Sequence, residues 1–513
     1  APDVSGSAHK GHGLKNLAAA YVDPSAKEPE ERLRQAVIAA GGRRSEDGWK
    51  ADILMAPPSI VGEYGLMDAW YTLQLYHQFN ERIDHWQQPS EEYPPLRELY
   101  RTEQWLLLAL VDMEERGIRV DVEFFEKWKK ELETKRQKIL RRLSKLAKGA
   151  DIDWGSTKQL RELLFDRMGL EPSHRTRTGL PSTDEVALLN LKHPIGAELL
   201  RLRDVDKQLS TYAEGLLNAV WDDGRIHCTF RQTGTHTGRL SCADPNLQQV
   251  PRESGARRGF IPDEGLEFRF ADYSQVEMRF AAHLSNDPVL VNGFLHNPDF
   301  DTHSATAKRM YGLSGEPTKQ QRKFAKIMNF AMLYGAGEDK ITSQLISLLS
   351  TKEARRSCIE LGYRPSSAES PHRSLARLLR SIYFREFPAI KDARYRAQDM
   401  AKTRGYVVNV FGRHRYLDEN EVYKAFNTEI QGSAADQAKK GLADMYRELQ
   451  QGEGSIAILL QIHDEVVYLS DGDPKTDKKV LEILNEKNRF RVPIVADISG
   501  SKTNWQDKKG IEL

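Results

Sequence analysis

Apolar positions recur with a helical period over most of the chain, and a few short runs alternate like strands. Helical spacing extends from Leu99 to Gly117, is followed by a strand-like IleArgValAsp, and helices then dominate to about Val220. Further strand-like runs lie at 226–230, 268–272 and 457–462, the first after a turn at 222–225. The pattern predicts a mixed helix and strand fold of the α/β (α+β) type, with several strands assembled into one sheet.

One predicted helix concentrates positive charge. Between Lys127 and Lys148, basic residues far outnumber the acids Glu131 and Glu133, and apolar residues are interleaved at helical spacing. A solvated charged face is the ordinary interpretation of such a run, and a track for nucleic-acid phosphates is the alternative. The net charge of +1 conceals this local excess.

Length and composition narrow the class of protein. A chain of 513 residues is expected to form several domains. Its longest apolar run, 105–111, is too short to cross a bilayer and no secretory signal is evident, so no membrane association and a cytoplasmic location are expected. The three cysteines are too scattered for a disulfide framework or a zinc site.

A period-four pattern lies in a helical run that ends near Gly335. Arg322, Lys326, Phe330 and Tyr334 recur every four residues and should share one helix face. Over about 18 Å this face could present two cations to a triphosphate and two aromatic rings to a base. An amphipathic surface helix whose basic residues have no function is the competing interpretation.

Two carboxylates occupy positions that are costly for isolated charges. Asp272 and Asp464 each lie at a strand end or turn between apolar runs, where an unpaired charge needs a cation. Hard carboxylate oxygens favour Mg²⁺ or Mn²⁺. The ordinary alternative for any one aspartate is a helix cap or a surface ion pair.

These segments, with several others, resemble the polymerase part of an A-family DNA polymerase of the bacterial DNA polymerase I and phage type. The similarity covers roughly 96–513. The matching segments are SerThrLysGlnLeu at 156–160, ThrGlyArgLeuSer at 237–241, AspProAsnLeuGln at 244–248, AspTyrSerGlnValGlu at 272–277, the Arg322 helix, GlnGlySerAlaAlaAsp at 431–436 and GlnIleHisAspGluValVal at 461–467.

The resemblance implies a right-hand polymerase with an antiparallel palm sheet. The expected division is a truncated 3'-5' exonuclease-like remnant at 1–95, a thumb at 96–225, palm at 226–289, fingers at 290–420 and palm again at 421–513. A linker rich in Pro, Ser and Glu at 87–95 separates the remnant from the rest. The basic helix then falls in the thumb, and the segment 351–373 receives no assignment.

The resemblance also implies catalytic roles. Asp272, Asp464 and the backbone carbonyl of Tyr273 would hold two Mg²⁺ ions, with Mn²⁺ as a substitute, and Glu465 would assist beside them. Lys326 would pair with the incoming triphosphate and supply a proton to pyrophosphate.

Binding of the nucleotide and of DNA is implied at further positions. The dNTP-binding set is Arg322, Lys326, Phe330, Tyr334, His303, Glu277 and Gln275, in which Glu277 is the steric gate against a 2'-hydroxyl. The DNA-binding set is Arg239, Asn427, Gln431 and His463, of which Arg239 and Gln431 would touch the minor groove. Tyr423 stands where the family has a basic residue, so that contact is not carried over.

In the N-terminal segment, Tyr64 and Asp68 match the exonuclease signature Tyr-x-x-x-Asp. Two-metal exonuclease chemistry needs further carboxylates, and the segment 15–21 resembles a part of that fold beyond them. We therefore expect no proofreading by this chain alone.

The expected function is template-directed DNA synthesis from a primer, with primer-template DNA and dNTPs as partners, a monomeric state and accessory replication factors as further partners. The alternatives are a single-subunit RNA polymerase and a DNA-binding clamp without catalysis. The carboxylates Glu277, Asp272 and Asp464 are present, which opposes both alternatives. The expected location is the cytoplasm of a bacterium or of a phage-infected cell.

Overall fold

The computed structural model describes residues 13–45, 48–85, 93–452 and 456–511. Most of the predicted linker at 87–95 therefore lies outside the described residues. The N-terminal part consists of helices Leu14–Tyr21, Glu28–Ala39 and Pro58–His85 and a 3₁₀ segment, Gly48–Met55. They enclose two small cores, one around Tyr71 and one around Trp49. None of the described helices is both long and apolar enough to span a membrane.

The predicted basic helix is confirmed as Val122–Leu146. Asp121 caps it by accepting a hydrogen bond from the backbone N–H of Phe124 at 2.9 Å. Its apolar face packs against helix Pro194–Lys207 in a core separate from that of the sheet. The same core includes residues of the short helical segments Thr157–Arg161, Glu162–Arg167, Glu185–Leu189 and Gln208–Glu214, and Gly215–Leu217 also contacts the basic helix. Helix Leu96–Arg116 precedes it in the chain.

The central sheet has five antiparallel strands. Their order across the sheet is Lys509–Gly510, Ala496–Ser501, Glu267–Tyr273, Glu465–Ser470, Ile456–Ile462. The strand Glu267–Tyr273 lies in the middle and carries Phe268 and Phe270 fully buried. In this register Asp272 lies directly between Glu465 and Asp497 on the neighbouring strands. The predicted antiparallel sheet is therefore confirmed. The strand that ends at Asp272–Tyr273 and the strand that begins at Glu465 are neighbours in it.

The assignment of 226–230 to this sheet is wrong. That run divides into Arg225–Ile226, which pairs with Ile118–Arg119, and Thr229–Arg231, which pairs with Ser241–Ala243. Between the two pieces the ring of His227 hydrogen-bonds the backbone carbonyl of Glu114 at 2.8 Å. Alternation indicates a strand but not its partner, which non-local packing selects.

A helical block lies between the two chain segments that build the sheet. Its helices are Val276–Ser285, Pro288–His296, Thr302–Tyr311, Lys319–Leu333, Glu338–Ile346, Thr351–Glu360, Pro371–Glu386 and Pro388–Arg404, followed by the hairpin Tyr406–Val408 and His414–Tyr416. Helix Ala425–Met445 returns against the sheet side and packs on Leu96–Arg116, and Pro474–Leu484 packs against it. The C-terminal end of helix Lys319–Leu333 is linked to the segment that follows Asp272, because the hydroxyl of Tyr334 donates to Glu277 at 2.7 Å.

Candidate active site

The turn between strands Ile456–Ile462 and Glu465–Ser470 brings the predicted metal ligands together. Asp464 lies in the tight turn after Ile462, next to His463, which adopts a left-handed backbone conformation with φ of 54°. The backbone N–H of Tyr273 donates to the carbonyl of Asp464 at 3.2 Å. Because Tyr273 follows Asp272 directly, this bond fixes the two aspartates at one end of the sheet.

Both aspartates resist ionisation in the absence of a cation. Burial, and then the charge of Glu465, raises the pKa of Asp272 to about 6. Burial raises the pKa of Asp464 to about 6 as well, although the positive charge of Arg239 opposes the shift. Each carboxylate also disfavours the charge of its neighbours, which is the situation that a divalent cation relieves.

The surroundings of Asp464 fit a metal ion. Among the described residues its buried Oδ1 has no hydrogen-bond partner, and the guanidinium of Arg239 is 3.8 Å away. A cavity of about 490 Å³ lies beside both aspartates, lined in addition by Arg252, Arg257 and His463. In the described part of the chain no group of three or more His, Cys, Asp and Glu side chains is placed to hold a metal ion.

Glu465 lies beside Asp272, and a lysine side chain neutralises its charge. Lys508 forms an ion pair with its carboxylate, which is nearly inaccessible to solvent. On the other side of Asp272, the strand Ala496–Ser501 contributes Asp497. The sequence analysis did not find Lys508 or Asp497, because neither lies in a recognisable motif.

The period-four residues lie on one face of helix Lys319–Leu333, as the spacing predicts. The helix begins with a capping box in which Thr318 and Gln321 satisfy each other's backbone N–H groups. Arg322 and Lys326 are exposed and Phe330 is half-buried, whereas Phe324, Met328 and Met332 on the opposite face are buried. Tyr334 caps the helix at its C-terminal end. The ring centres of Phe330 and Tyr334 are 5.6 Å apart, and Phe330 is not among the fully buried side chains.

His303 faces the same helix. Its ring lies 5.7 Å from that of Phe330, and its Nδ1 lies 3.0 Å from the amide nitrogen of Asn329. Burial lowers the pKa of His303 to about 4; Asp301 opposes this shift, whereas Arg322 adds to it. A bound polyanion would favour the protonated ring.

Glu277 is buried at the start of helix Val276–Ser285 and accepts from two sides. Arg239 Nη2 donates to its Oε1 at 2.5 Å, and the hydroxyl of Tyr334 donates to its Oε2 at 2.7 Å. The side chain that the sequence assigned as a steric gate is thus held rigidly between a predicted DNA-binding residue and a predicted base-stacking residue.

The side chain of Gln275 makes hydrogen bonds within the protein. Its backbone is left-handed with φ of 49°, and its amide donates to the carbonyl of Phe300 and accepts from the hydroxyl of Thr302 at 2.8 Å. These contacts join the Asp272 segment to the helix that carries His303.

The predicted DNA-binding residues line the same region. Asn427 and Gln431 lie one turn apart on helix Ala425–Met445, and among the described residues Asn427 Oδ1 is buried without a hydrogen-bond partner. Burial, followed by the charge of Arg239, lowers the pKa of His463. Arg252 and Arg257 were missed because isolated arginines in a loop carry no periodic signal.

Tyr64 and Asp68 lie far from this site in sequence and form a separate cluster on helix Pro58–His85. Asp68 is ion-paired with Lys15, whose ammonium lies 4.7 Å from the ring centre of Tyr64. The ammonium of Lys15 therefore compensates the charge of the Asp68 carboxylate.

Comparisons with known proteins agree with this architecture. DNA polymerase I of Chloroflexus aurantiacus is 33% identical over 482 residues, covering 89% of this chain and 46% of the relative. DNA polymerase I of Geobacillus stearothermophilus is 34% identical over 450 residues, covering 82% and 48%, and the thermostable DNA polymerase I of Thermus filiformis is 31% identical over 514 residues, covering 96% and 55%. The chain spans about half the length of these relatives.

A solved structure shares the fold. The POL domain of Pol1 from M. smegmatis, in complex with DNA primer-template and dNTP, superposes with a TM-score of 0.74 and is 29% identical, covering 96% of this chain and 79% of that one. The fold is thus that of a right-hand polymerase with palm, fingers and thumb. The sequence profile of DNA polymerase family A matches residues 122–507, which include four of the five strands of the central sheet, the period-four helix and both aspartates. This chain therefore belongs to DNA polymerase family A.

Proposed function

We propose that this protein is a template-directed DNA polymerase that adds dNTPs to a primer 3' end by two-metal-ion nucleotidyl transfer. The observation that carries the proposal is the pair Asp272 and Asp464. Burial raises both pKa values to about 6 beside one cavity, and helix Lys319–Leu333, which is linked to Glu277 through Tyr334, exposes Arg322 and Lys326. Such a site needs cations and offers positive charge to phosphates.

The residues available fit two Mg²⁺ ions held by Asp272, Asp464 and the carbonyl of Tyr273, with Mn²⁺ as a substitute. When bound, the metal ions stabilise charge on the attacking and leaving oxygens. Arg322 and His303 bind the outer phosphates, and Lys326 pairs with the triphosphate and donates a proton to pyrophosphate. Glu465 supports the metal ligands from the adjacent strand.

The sugar and the base are selected by the aromatic end of the same helix. Glu277 blocks the space of a 2'-hydroxyl, Phe330 packs against the sugar, and Tyr334 stacks beside the templating base. Gln275 keeps this pocket in shape. A rigid gate favours deoxyribonucleotides, which is the reason for preferring DNA synthesis over RNA synthesis.

Primer-template DNA is the proposed partner, bound as the duplex in the M. smegmatis complex is bound. Arg239 and Gln431 check the minor groove, Asn427 and His463 lie near the primer end, and the helix Val122–Leu146 faces duplex phosphates. Lys127, Lys130, Lys135, Lys138, Arg141 and Lys145 form no ion pair within the described ranges.

We extend the proposal to the domain limits 1–95, 96–225, 226–289, 290–420 and 421–513 as exonuclease remnant, thumb, palm, fingers and palm. A monomer acting in the cytoplasm of a bacterium or infected cell, with accessory replication factors as further partners, completes it, because that is where its DNA substrate is found.

Extension of a primed template tests the function. With Mg²⁺ and four dNTPs the labelled primer should lengthen to the end of the template. Omission of Mg²⁺, or replacement of the dNTPs by rNTPs, should abolish most of the product. Binding of the primed template without extension would favour a clamp, and efficient extension with rNTPs would favour an RNA polymerase.

A further inference from the structure

Asp301 makes a two-point contact with the guanidinium of Arg322. Arg322 Nε donates to Asp301 Oδ2 at 2.7 Å, and Arg322 Nη2 donates to Oδ1 at 3.2 Å. The pair joins two consecutive helices, since Asp301 precedes Thr302–Tyr311 and Arg322 lies in Lys319–Leu333. No motif in the sequence marks Asp301.

Asp301 is itself fixed in place. It caps helix Thr302–Tyr311 by accepting from the backbone N–H groups of His303 at 3.0 Å and Ser304 at 3.2 Å. The hydroxyl of Ser304 donates to its Oδ2 at 2.7 Å. Although burial alone would raise it, hydrogen bonds from Arg322 and Ser304 hold the pKa of Asp301 well below its usual value. The carboxylate is therefore an immobile anion at neutral pH.

The contact occupies only one edge of the guanidinium. Arginine has five N–H donors, and Asp301 accepts from Nε and from one Nη2 proton. The two Nη1 protons and the second Nη2 proton remain for another anion. Arg322 is 47% exposed, and Lys326, which forms no ion pair within the described residues, lies one turn further along the same face.

We infer that Asp301 is a positioning residue for the incoming nucleotide: it holds the Arg322 guanidinium so that its free edge meets the outer phosphates of a nucleoside triphosphate. The inference rests on the proposed function. An unrestrained arginine side chain must lose its rotamer freedom when it binds, and Asp301 removes that freedom in advance. Because Asp301 and the phosphates use different edges, Asp301 does not have to be displaced.

Two substitutions remove the fork while keeping the cap. Asp301→Asn retains the volume and at most one hydrogen bond to Arg322, and Asp301→Ser retains a good N-cap but cannot reach the guanidinium with two acceptors. In single-turnover incorporation at saturating primed template, we expect the apparent Kd for dNTP to rise about five- to tenfold. The maximal incorporation rate should stay within about twofold.

The same substitutions in an Arg322→Ala background separate this role from a general effect. If Asp301 acts through Arg322, Asp301→Asn should add nothing to the Kd of Arg322→Ala. Asp473→Asn is the matched control, because Asp473 caps helix Pro474–Leu484 by accepting from Lys475 N–H at 2.9 Å and lies outside the site. It should leave the Kd for dNTP unchanged, and thermal unfolding of all variants reports on the cap.

Three results would overturn the inference: an unchanged Kd in both Asp301 variants, a lower Kd, which would make Asp301 a competitor of the triphosphate, or additive effects with Arg322→Ala. If Arg322→Ala itself leaves the Kd for dNTP unchanged, the phosphate-binding role in the proposed function fails instead. The two failures are therefore distinguishable.

Discussion

The hydroxyl of Tyr334 donates to Glu277 Oε2 at 2.7 Å and so connects the C-terminal end of the period-four helix to the segment that carries Asp272. Arg239 holds the other oxygen of the same carboxylate. If this helix moved relative to the sheet, either the hydrogen bond between Tyr334 and Glu277 would break or Glu277 would move with the helix. The position of Glu277, the proposed sugar gate, therefore depends on elements that are far apart in sequence.

Removal of the gate should relax sugar selection. Glu277→Ala opens space for a 2'-hydroxyl, and we expect the ratio of kcat/KM for rNTP to that for dNTP to rise at least about tenfold, or roughly 1.4 kcal/mol. Glu277→Gln is the matched control, because it removes the charge but keeps the volume and should retain most of the discrimination. An unchanged ratio in Glu277→Ala would show that Glu277 does not contact the sugar.

Loss of either candidate metal ligand should abolish extension. Asp272→Asn and Asp464→Asn keep the shape but remove the charge, so we expect almost no product in primer extension while duplex binding persists. Asp497→Asn removes a neighbouring charge from the same face of the sheet and should retain most of the turnover. Turnover of Asp272→Asn within about tenfold of the wild type, ~1.4 kcal/mol of barrier, would exclude it from the metal site.

The ionised carboxylate of Asp272 should destabilise the metal-free protein above pH 6. Because the pKa of Asp272 is about 6 in the folded state against an ordinary value of 3.8, the folded state binds the proton more tightly. The contribution of Asp272 to stability in EDTA should therefore become more favourable as the pH falls from about 6 to 4, and the difference between the wild type and Asp272→Asn isolates it from the other titrating groups. At pH 7.5 Asp272→Asn should unfold at a higher temperature than the wild type. The gain in the free energy of unfolding should be at most about 3 kcal/mol, and it should be smaller at pH 5. A lower unfolding temperature at pH 7.5 would contradict the assigned cost.

The face of Phe330 can be tested with chain terminators. A Tyr at this position would place a hydroxyl where a dideoxynucleotide lacks its 3'-hydroxyl, so Phe330→Tyr should reduce the preference for dNTP over ddNTP about tenfold or more. The half-buried ring beside His303 can accept this change without entering the core. Competitive incorporation of dNTP and ddNTP gives the ratio, and an unaltered ratio would mean that the ring does not meet the sugar.

The Tyr64 cluster should not remove mismatched primer ends. Asp68 is already ion-paired with Lys15 and two-metal chemistry needs several carboxylates, so a labelled mismatched primer incubated with Mg²⁺ and no dNTP should keep its length. Steady shortening that disappears in Asp68→Ala would disprove this. The other carboxylates to examine would then be Asp52, which accepts from Arg43 N–H at 2.9 Å, and Glu46 and Asp47, which lie outside the described residues.

Much of the site could be predicted from local pattern. Period four along Arg322 to Tyr334 defines a helix face, because 3.6 residues per turn returns every fourth side chain to nearly the same side. The amphipathic spacing of Val122–Leu146 and the apolar runs that flank Asp272 and Asp464 similarly follow from short-range rules. Motif order then identified the family, since each segment carries a chemical role of its own.

Tertiary structure alone decided which side chains are partners. The pairs Lys508–Glu465, Arg322–Asp301 and Arg239–Glu277 join segments between 21 and 43 residues apart, and Lys439 contacts Glu103 across 336 residues. In the tertiary structure the run 226–230 does not belong to the central sheet. Strand Ala496–Ser501, in which apolar and polar residues alternate little, does belong to it. Local periodicity records only what a residue does within its own element, whereas a charge finds its partner through the packing of elements that the chain brings together from a distance.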